Sequence, residues 1–220
     1  MGREIALDTP SGRICAWRAD PMAQPVGGLV VIQEIFGVNE PVRSVVERYC
    51  AEGWVALAPE LFDPIERGVE LAYDDAGVSK GRALAAELGF DRAVGIIGAA
   101  AAKLREDGLH VAVVGFCWGG TLALLSNTRL GLPAVSYYGG RSVPFLGEPL
   151  RAPMLFHFGQ HDPVVPPEDI ERHRAAYPDA PVHAYPAGHG FNCELRADYH
   201  ADAARLAHRR TVEFLGCVLP

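Results

Sequence analysis

Three residue types that together can turn a weak acid into a nucleophile occur in one order along the chain: Cys117, Asp162 and His189. Cys117 is the centre of "VVGFCWGGTLAL", where an apolar run reaches Gly115 and the stretch beyond Gly119 and Gly120 turns helical in pattern. A Gly-x-Cys-x-Gly turn between strand and helix presents the thiol on a tight bend. The N-terminus of the helix that follows favours negative charge, on a thiolate or on an oxyanion. A thiol needs a base to take its proton, and the base needs a partner to orient it. Asp162 in "FGQHDPVVP" and His189 in "YPAGHGF" each follow an apolar run and supply these two parts. Singly, each residue has a plain structural explanation: a buried thiol in a glycine-rich turn, a surface aspartate, a loop histidine. Taken together and in this order, they point to covalent catalysis through a thiol.

Such a constellation needs elements that end at one place. Short, continuous apolar runs at 28–35, 54–59, 110–116, 134–139, 154–159 and 182–187 suit strands buried on both faces of a parallel sheet. Between them, Val42, Val45, Val46 and Tyr49 form one helical stripe and Val94, Ile97, Ala101 and Leu104 another. A further helix is expected after Pro166-Pro167, and a last one over roughly 198–216. Residues 3–18 alternate around Pro10-Ser11-Gly12 and read as an antiparallel hairpin. The expected architecture is α/β, a mostly parallel central sheet with an N-terminal antiparallel hairpin and helices on both faces, in a single domain over residues 1–220. Ligands of such sheets bind beyond the carboxyl ends of the strands, where Cys117, Asp162 and His189 all fall. The order nucleophile, acid, histidine is that of the α/β-hydrolase fold. Residues 62–89, laced with glycine and aspartate, read as a long irregular excursion.

Composition removes several classes. A formal charge of −7 argues against nucleic acid as a partner. No apolar run approaches the roughly 20 residues of a membrane span, and "MGREIALDTP" lacks the charged start and apolar core of a secretory leader, so a cytoplasmic protein is expected. The cysteines at 15, 50, 117, 193 and 217 show neither a disulfide framework nor a thiolate metal spacing, and all but Cys117 read as small buried hydrophobes. His157 and His161 straddle a strand end, so their spacing of four does not make a metal site, and no metal is expected. His173, His183, His200 and His208 read as surface residues.

In its motifs the chain resembles the dienelactone hydrolase family of α/β-hydrolases. "VVIQEIFGVN" at 30–39, "GFCWGG" at 115–120, "FHFGQHDPVVP" at 156–166, "AGHGF" at 187–191 and "RTVEFL" at 210–215 match in order, over nearly the whole chain from Gly28 onward. The resemblance implies a monomeric hydrolase of a small ester or lactone that works without a cofactor. It implies that Glu34, of the "QEIFG" segment, contacts the thiol of Cys117, holds it protonated at rest and takes its proton when substrate binds. An acid in a poorly solvated cleft can serve as such a base. Backbone N–H groups of Ile35 and Trp118 would hold the oxyanion. The family binds a substrate carboxylate with two arginines. Cys193 stands where one would be, Lys80 or Arg82 of "SKGRA" could serve as the other, and Arg196 lies close by in sequence. An amidotransferase, which shares the Gly-x-Cys-x-Gly turn, would carry glutamate at the position of Phe191. The remaining alternative is a non-catalytic redox sensor or ligand-binding protein that uses Cys117.

Overall fold

Gly12, at φ 106, takes the backbone conformation that lets the chain reverse after Pro10-Ser11. The computed structural model describes residues 2–219, and it begins with the hairpin so formed. β1 (Arg3–Thr9) and β2 (Gly12–Ala19) pair antiparallel from Thr9 opposite Gly12 to Arg3 opposite Arg18. The Thr9 hydroxyl donates to the Gly12 carbonyl at 2.7 Å and fastens the turn. The chain forms two compact units, one up to Val113 and one from Val114 on, with the boundary inside β5 (Val111–Phe116).

In the first unit β2 runs antiparallel to β4 (Trp54–Pro59), and β4 runs parallel to β3 (Gly27–Ile32). Both β3 and β4 are buried along their whole length, as their unbroken apolar sequences require. α1 (Glu40–Ala51) is capped by the Asn39 side chain and buries Val42, Val46 and Tyr49. The segment 62–89, expected to be irregular, is helical in its second half. α2 runs Asp75–Glu106, opened by Asp74, whose carboxylate accepts from the Gly77 N–H at 2.7 Å, and broken once at Gly89, φ 72. The glycines that masked the helical period include Gly81, whose bare Cα lets α2 approach the 34–35 turn. A Cβ there would lie 2.2 Å from the Ile35 carbonyl oxygen.

In the second unit, α3 (Trp118–Leu130) follows β5 and ends at Gly131 in the left-handed conformation. β6 (Ala134–Tyr137), β7 (Met154–Gly159) and β8 (Val182–Tyr185) are parallel neighbours. α4 (Pro167–Ala176) starts at its proline, and α5 (Ala201–Val218) is capped by the His200 ring, which accepts from the Ala203 N–H. Among the described residues, eight strands make a mixed, mostly parallel sheet with an N-terminal antiparallel pair, accompanied by five α-helices. None of these helices is long and apolar enough to cross a membrane. Two sequence expectations fail here. His173 is fully buried, its ring edge-on to Phe156 and Phe158, while Cys217 is exposed on α5. A single residue's type carries too little information to say which face of its helix is covered.

Candidate active site

Cys117 sits between β5 and α3 with φ 54 and ψ −116, a conformation that non-glycine residues rarely adopt. Its N–H donates to the Tyr137 carbonyl at 3.0 Å, which ties the bend to the end of β6. The flanking glycines make the bend sterically possible. A Cβ on Gly115 would stand 1.9 Å from the Gly119 carbonyl oxygen, and one on Gly120 would stand 2.6 Å from the Tyr137 carbonyl oxygen. The Gly-x-Cys-x-Gly spacing is therefore a packing requirement of the strand–helix turn. Trp118 opens α3, where helix N–H groups point forward out of the helix, and its side chain is buried.

The second unit brings three of the predicted residues together. His189, four residues past β8, places Nε2 3.0 Å from the Cys117 sulfur and directs Nδ1–H to Asp162 Oδ2 at 2.7 Å. Asp162, three residues past β7, is held by its other oxygen, which accepts from the N–H groups of Val164 (2.7 Å) and Val165 (3.2 Å). Both side chains are almost wholly removed from water. Burial pushes the His189 pKa down, but the hydrogen bonds and charges of Asp162 and Cys117 outweigh it and raise the value to about 10. The arrangement favours a charged imidazolium ring set between the Asp162 carboxylate and the Cys117 sulfur, a setting that suits a thiol nucleophile.

Glu34, Ile35, Lys80 and Arg82 belong to the first unit, where Gly81, between the two cations, lies against the Ile35 backbone. Glu34 and Ile35 follow β3, with Glu34 only 3% exposed. Gln33, also buried, braces them: its side-chain amide donates to the Glu34 carbonyl at 3.2 Å and accepts from the Leu61 N–H at 3.1 Å. The close approach of Gly81 to Ile35 sets Lys80 and Arg82 on the same stretch of α2. Lys80 is paired with Glu66 at 2.6 Å, and Arg82 is exposed. Cys193 is buried. Arg196 lies against Gly190, where a Cβ would be 2.5 Å from its Nε, so its guanidinium group stands beside the residue that follows His189. Among the described residues no cluster of three or more His, Cys, Asp or Glu side chains is placed to hold a metal ion.

Sequence reasoning missed Tyr138. It has φ 41, and its ring meets His189 edge to face at 5.2 Å and Phe191 at 5.3 Å. The signal available was the pair of tyrosines before Gly139-Gly140 at the end of a strand run. Gln33 was equally legible as a polar residue closing an apolar strand, but its partners are not.

A cysteine on a strand–helix bend, with an acid and a histidine beyond later strands of a mostly parallel sheet, is the organisation of an α/β-hydrolase. Solved structures agree. The chain superposes on a dienelactone hydrolase-like promiscuous phosphotriesterase from metagenomic libraries with a TM-score of 0.81 at 22% identity, covering 100% of this chain and 99% of that one. It matches a Klebsiella pneumoniae protein, provisionally named a dienelactone hydrolase, with a TM-score of 0.87 at 26% identity over 97% of both chains. The model of the dienelactone hydrolase family matches residues 14–219, and the chain belongs to that family. Carboxymethylenebutenolidase 1 of Cupriavidus pinatubonensis is 30% identical over 93% of this chain and 92% of its own length. A Synechocystis protein provisionally named carboxymethylenebutenolidase is 33% identical over 91% and 90%. The protein is thus a hydrolase of the dienelactone hydrolase type.

Proposed function

We propose that the protein hydrolyses a small ester or lactone through an acyl-thioester on Cys117, with its two compact units working as one catalytic domain. The observation that carries this reading is the hydrogen-bonded series from the Cys117 sulfur through His189 to Asp162. The thiolate attacks the carbonyl carbon, and the C–O bond to the leaving oxygen breaks as His189 gives that oxygen its Nε2 proton. Water then attacks the thioester, His189 takes the water proton, and the carboxylic acid product leaves as the thiolate is restored. Asp162 keeps Nδ1 protonated, so that Nε2 alone exchanges protons. Backbone N–H groups of Trp118 and Ile35 stabilise the oxyanion of both tetrahedral intermediates. Glu34 controls the thiol proton at rest. Lys80, Arg82 and Arg196 are the cations proposed to meet an anionic substrate, with Arg196 supplying on the His189 loop the charge that Cys193 does not.

The family match over residues 14–219 supports both the reaction class and the one-domain reading. The test is hydrolysis of a dienelactone beside a neutral p-nitrophenyl ester, for wild type and Cys117→Ala. Turnover that disappears with the thiol supports the reading, and preference for the lactone supports recognition of the anion. Turnover that survives Cys117→Ala overturns it. Absence of any turnover, together with rapid sulfenylation of the wild-type thiol by peroxide, favours a redox sensor instead.

A further inference from the structure

Behind the site, the second unit encloses a row of polar side chains that the reaction does not use. Arg210 on α5 donates to the Tyr185 hydroxyl at 3.2 Å. That hydroxyl lies 2.8 Å from Nδ1 of His157, whose Nε2 lies 3.1 Å from the Thr211 hydroxyl. The Thr211 hydroxyl in turn meets the Tyr137 hydroxyl at 2.6 Å. Tyr137, His157 and Thr211 have 1% or less of their surface exposed, and Tyr185 has 2%. Polar groups taken so far from water are costly unless satisfied, and a satisfied row fixes the elements that carry it. Arg210 can only donate, so Tyr185 accepts from it. The bonds from Tyr185 through His157 and Thr211 to Tyr137 run together in one direction or the other, according to which ring nitrogen of His157 carries the proton. Burial, with His183 and Arg210 nearby, pushes the His157 pKa well below the usual value and keeps the ring neutral.

The row ends on the residue that holds the nucleophile. The Tyr137 carbonyl accepts the Cys117 N–H, and Gly120 of α3 packs against the same oxygen. The next residue, Tyr138, is kept at positive φ and donates its N–H to the His157 carbonyl at 2.8 Å, while its ring rests on His189. Two consecutive residues thus touch the backbone of Cys117 and the ring of His189, and both are fastened to His157. We infer that the buried Arg210–Tyr185–His157–Thr211–Tyr137 row is a positioning device: it sets the Tyr137–Tyr138 backbone, and through it the distance between the Cys117 sulfur and His189 Nε2. Thr211 is the positioning residue at its centre, because its hydroxyl is hydrogen-bonded to both the His157 ring and the Tyr137 hydroxyl, fixing the side chains of two residues whose strands are already paired. This inference rests on Cys117 being the nucleophile.

The experiment compares Thr211→Val, which keeps the shape and removes the hydroxyl, with Thr211→Ser, which keeps the hydroxyl. The readouts are kcat and KM on the turned-over ester or lactone, the rate of Cys117 alkylation by iodoacetamide, and thermal stability. Thr211→Val is expected to lower kcat by about 10-fold or more with KM little changed, because small displacements of reacting groups are costly in rate. It should also slow alkylation, and Thr211→Ser should restore both. A Thr211→Val protein that melts lower but keeps wild-type kcat and alkylation overturns the inference. So does a Thr211→Ser protein that loses as much as Thr211→Val. If Thr211→Val does not fold, Tyr137→Phe, which removes one oxygen from the same row, decides by the same readouts. Wild-type turnover that persists in Cys117→Ala refutes the nucleophile reading itself, whereas thiol-dependent turnover indifferent to Thr211→Val refutes only the positioning.

Discussion

Replacing Asp162 with asparagine tests whether the His189 imidazolium is made by its neighbours. In the wild type, Asp162 Oδ1 accepts from Val164 N–H and Val165 N–H, and Oδ2 accepts from His189 Nδ1–H. Asparagine would keep its single oxygen toward the two backbone donors and turn its NH2 toward His189. Nδ1 must then accept, Nε2 carries the proton, and the ring can no longer take a proton at the atom facing Cys117. The electrostatic side has a scale. Raising His189 from 6.5 to about 10 corresponds to about 5 kcal/mol in favour of the charged ring, net of burial and shared between Asp162 and Cys117. Losing about half of that is 2–3 kcal/mol, or roughly 100-fold in the affinity of the ring for its second proton. Iodoacetamide alkylation of Cys117 at neutral pH, followed by mass spectrometry, should slow by up to about that factor, because the altered tautomer no longer accepts the thiol proton. Turnover should fall further, by about 10⁴, since the wrong tautomer disables proton transfer in both half-reactions. A folded Asp162→Asn protein whose thiol alkylates within about threefold of wild type would refute the reasoning.

Two further outcomes follow from the same geometry. Gly115→Ala would place a methyl carbon 1.9 Å from the Gly119 carbonyl oxygen, a backbone atom that moves only with the turn. Urea denaturation should show a loss of about 2–3 kcal/mol or more, and thiol-dependent turnover should collapse with it. The raised His189 pKa also predicts a pH signature. Its contribution to stability is complete below the unfolded value near 6.5 and is lost as pH rises through about 10, so stability should fall across that window. The difference between wild type and His189→Gln, measured by urea denaturation, should shrink by roughly 3 kcal/mol between pH 7 and pH 9, and a constant difference would contradict it.

The sequence alone determined a good deal. Apolar runs at 54–59 and 154–159 end where their strands end, because a strand buried on both faces has little freedom to be polar. The Cys117 bend was legible because only glycine tolerates the backbone contacts at positions 115 and 120. Cys117, Asp162 and His189, which the structure joins by hydrogen bonds, were legible as an order of residue types at strand ends. The second half of the 62–89 segment was misjudged for the same kind of reason. Gly77 and Gly81 look like loop residues in a one-dimensional pattern, yet in the helix each gives way to a neighbouring carbonyl, that of Ala72 or of Ile35. What only the tertiary structure decided is which polar groups face one another. His157, Thr211, Tyr137, Tyr185 and Arg210 are spread over 74 residues and four elements, and nothing in their spacing announces a row. Hydrogen bonds between side chains on different elements depend on distances of a few tenths of an ångström, which packing sets. Hydrophobic periodicity records which face is buried but not what a buried polar atom will meet there.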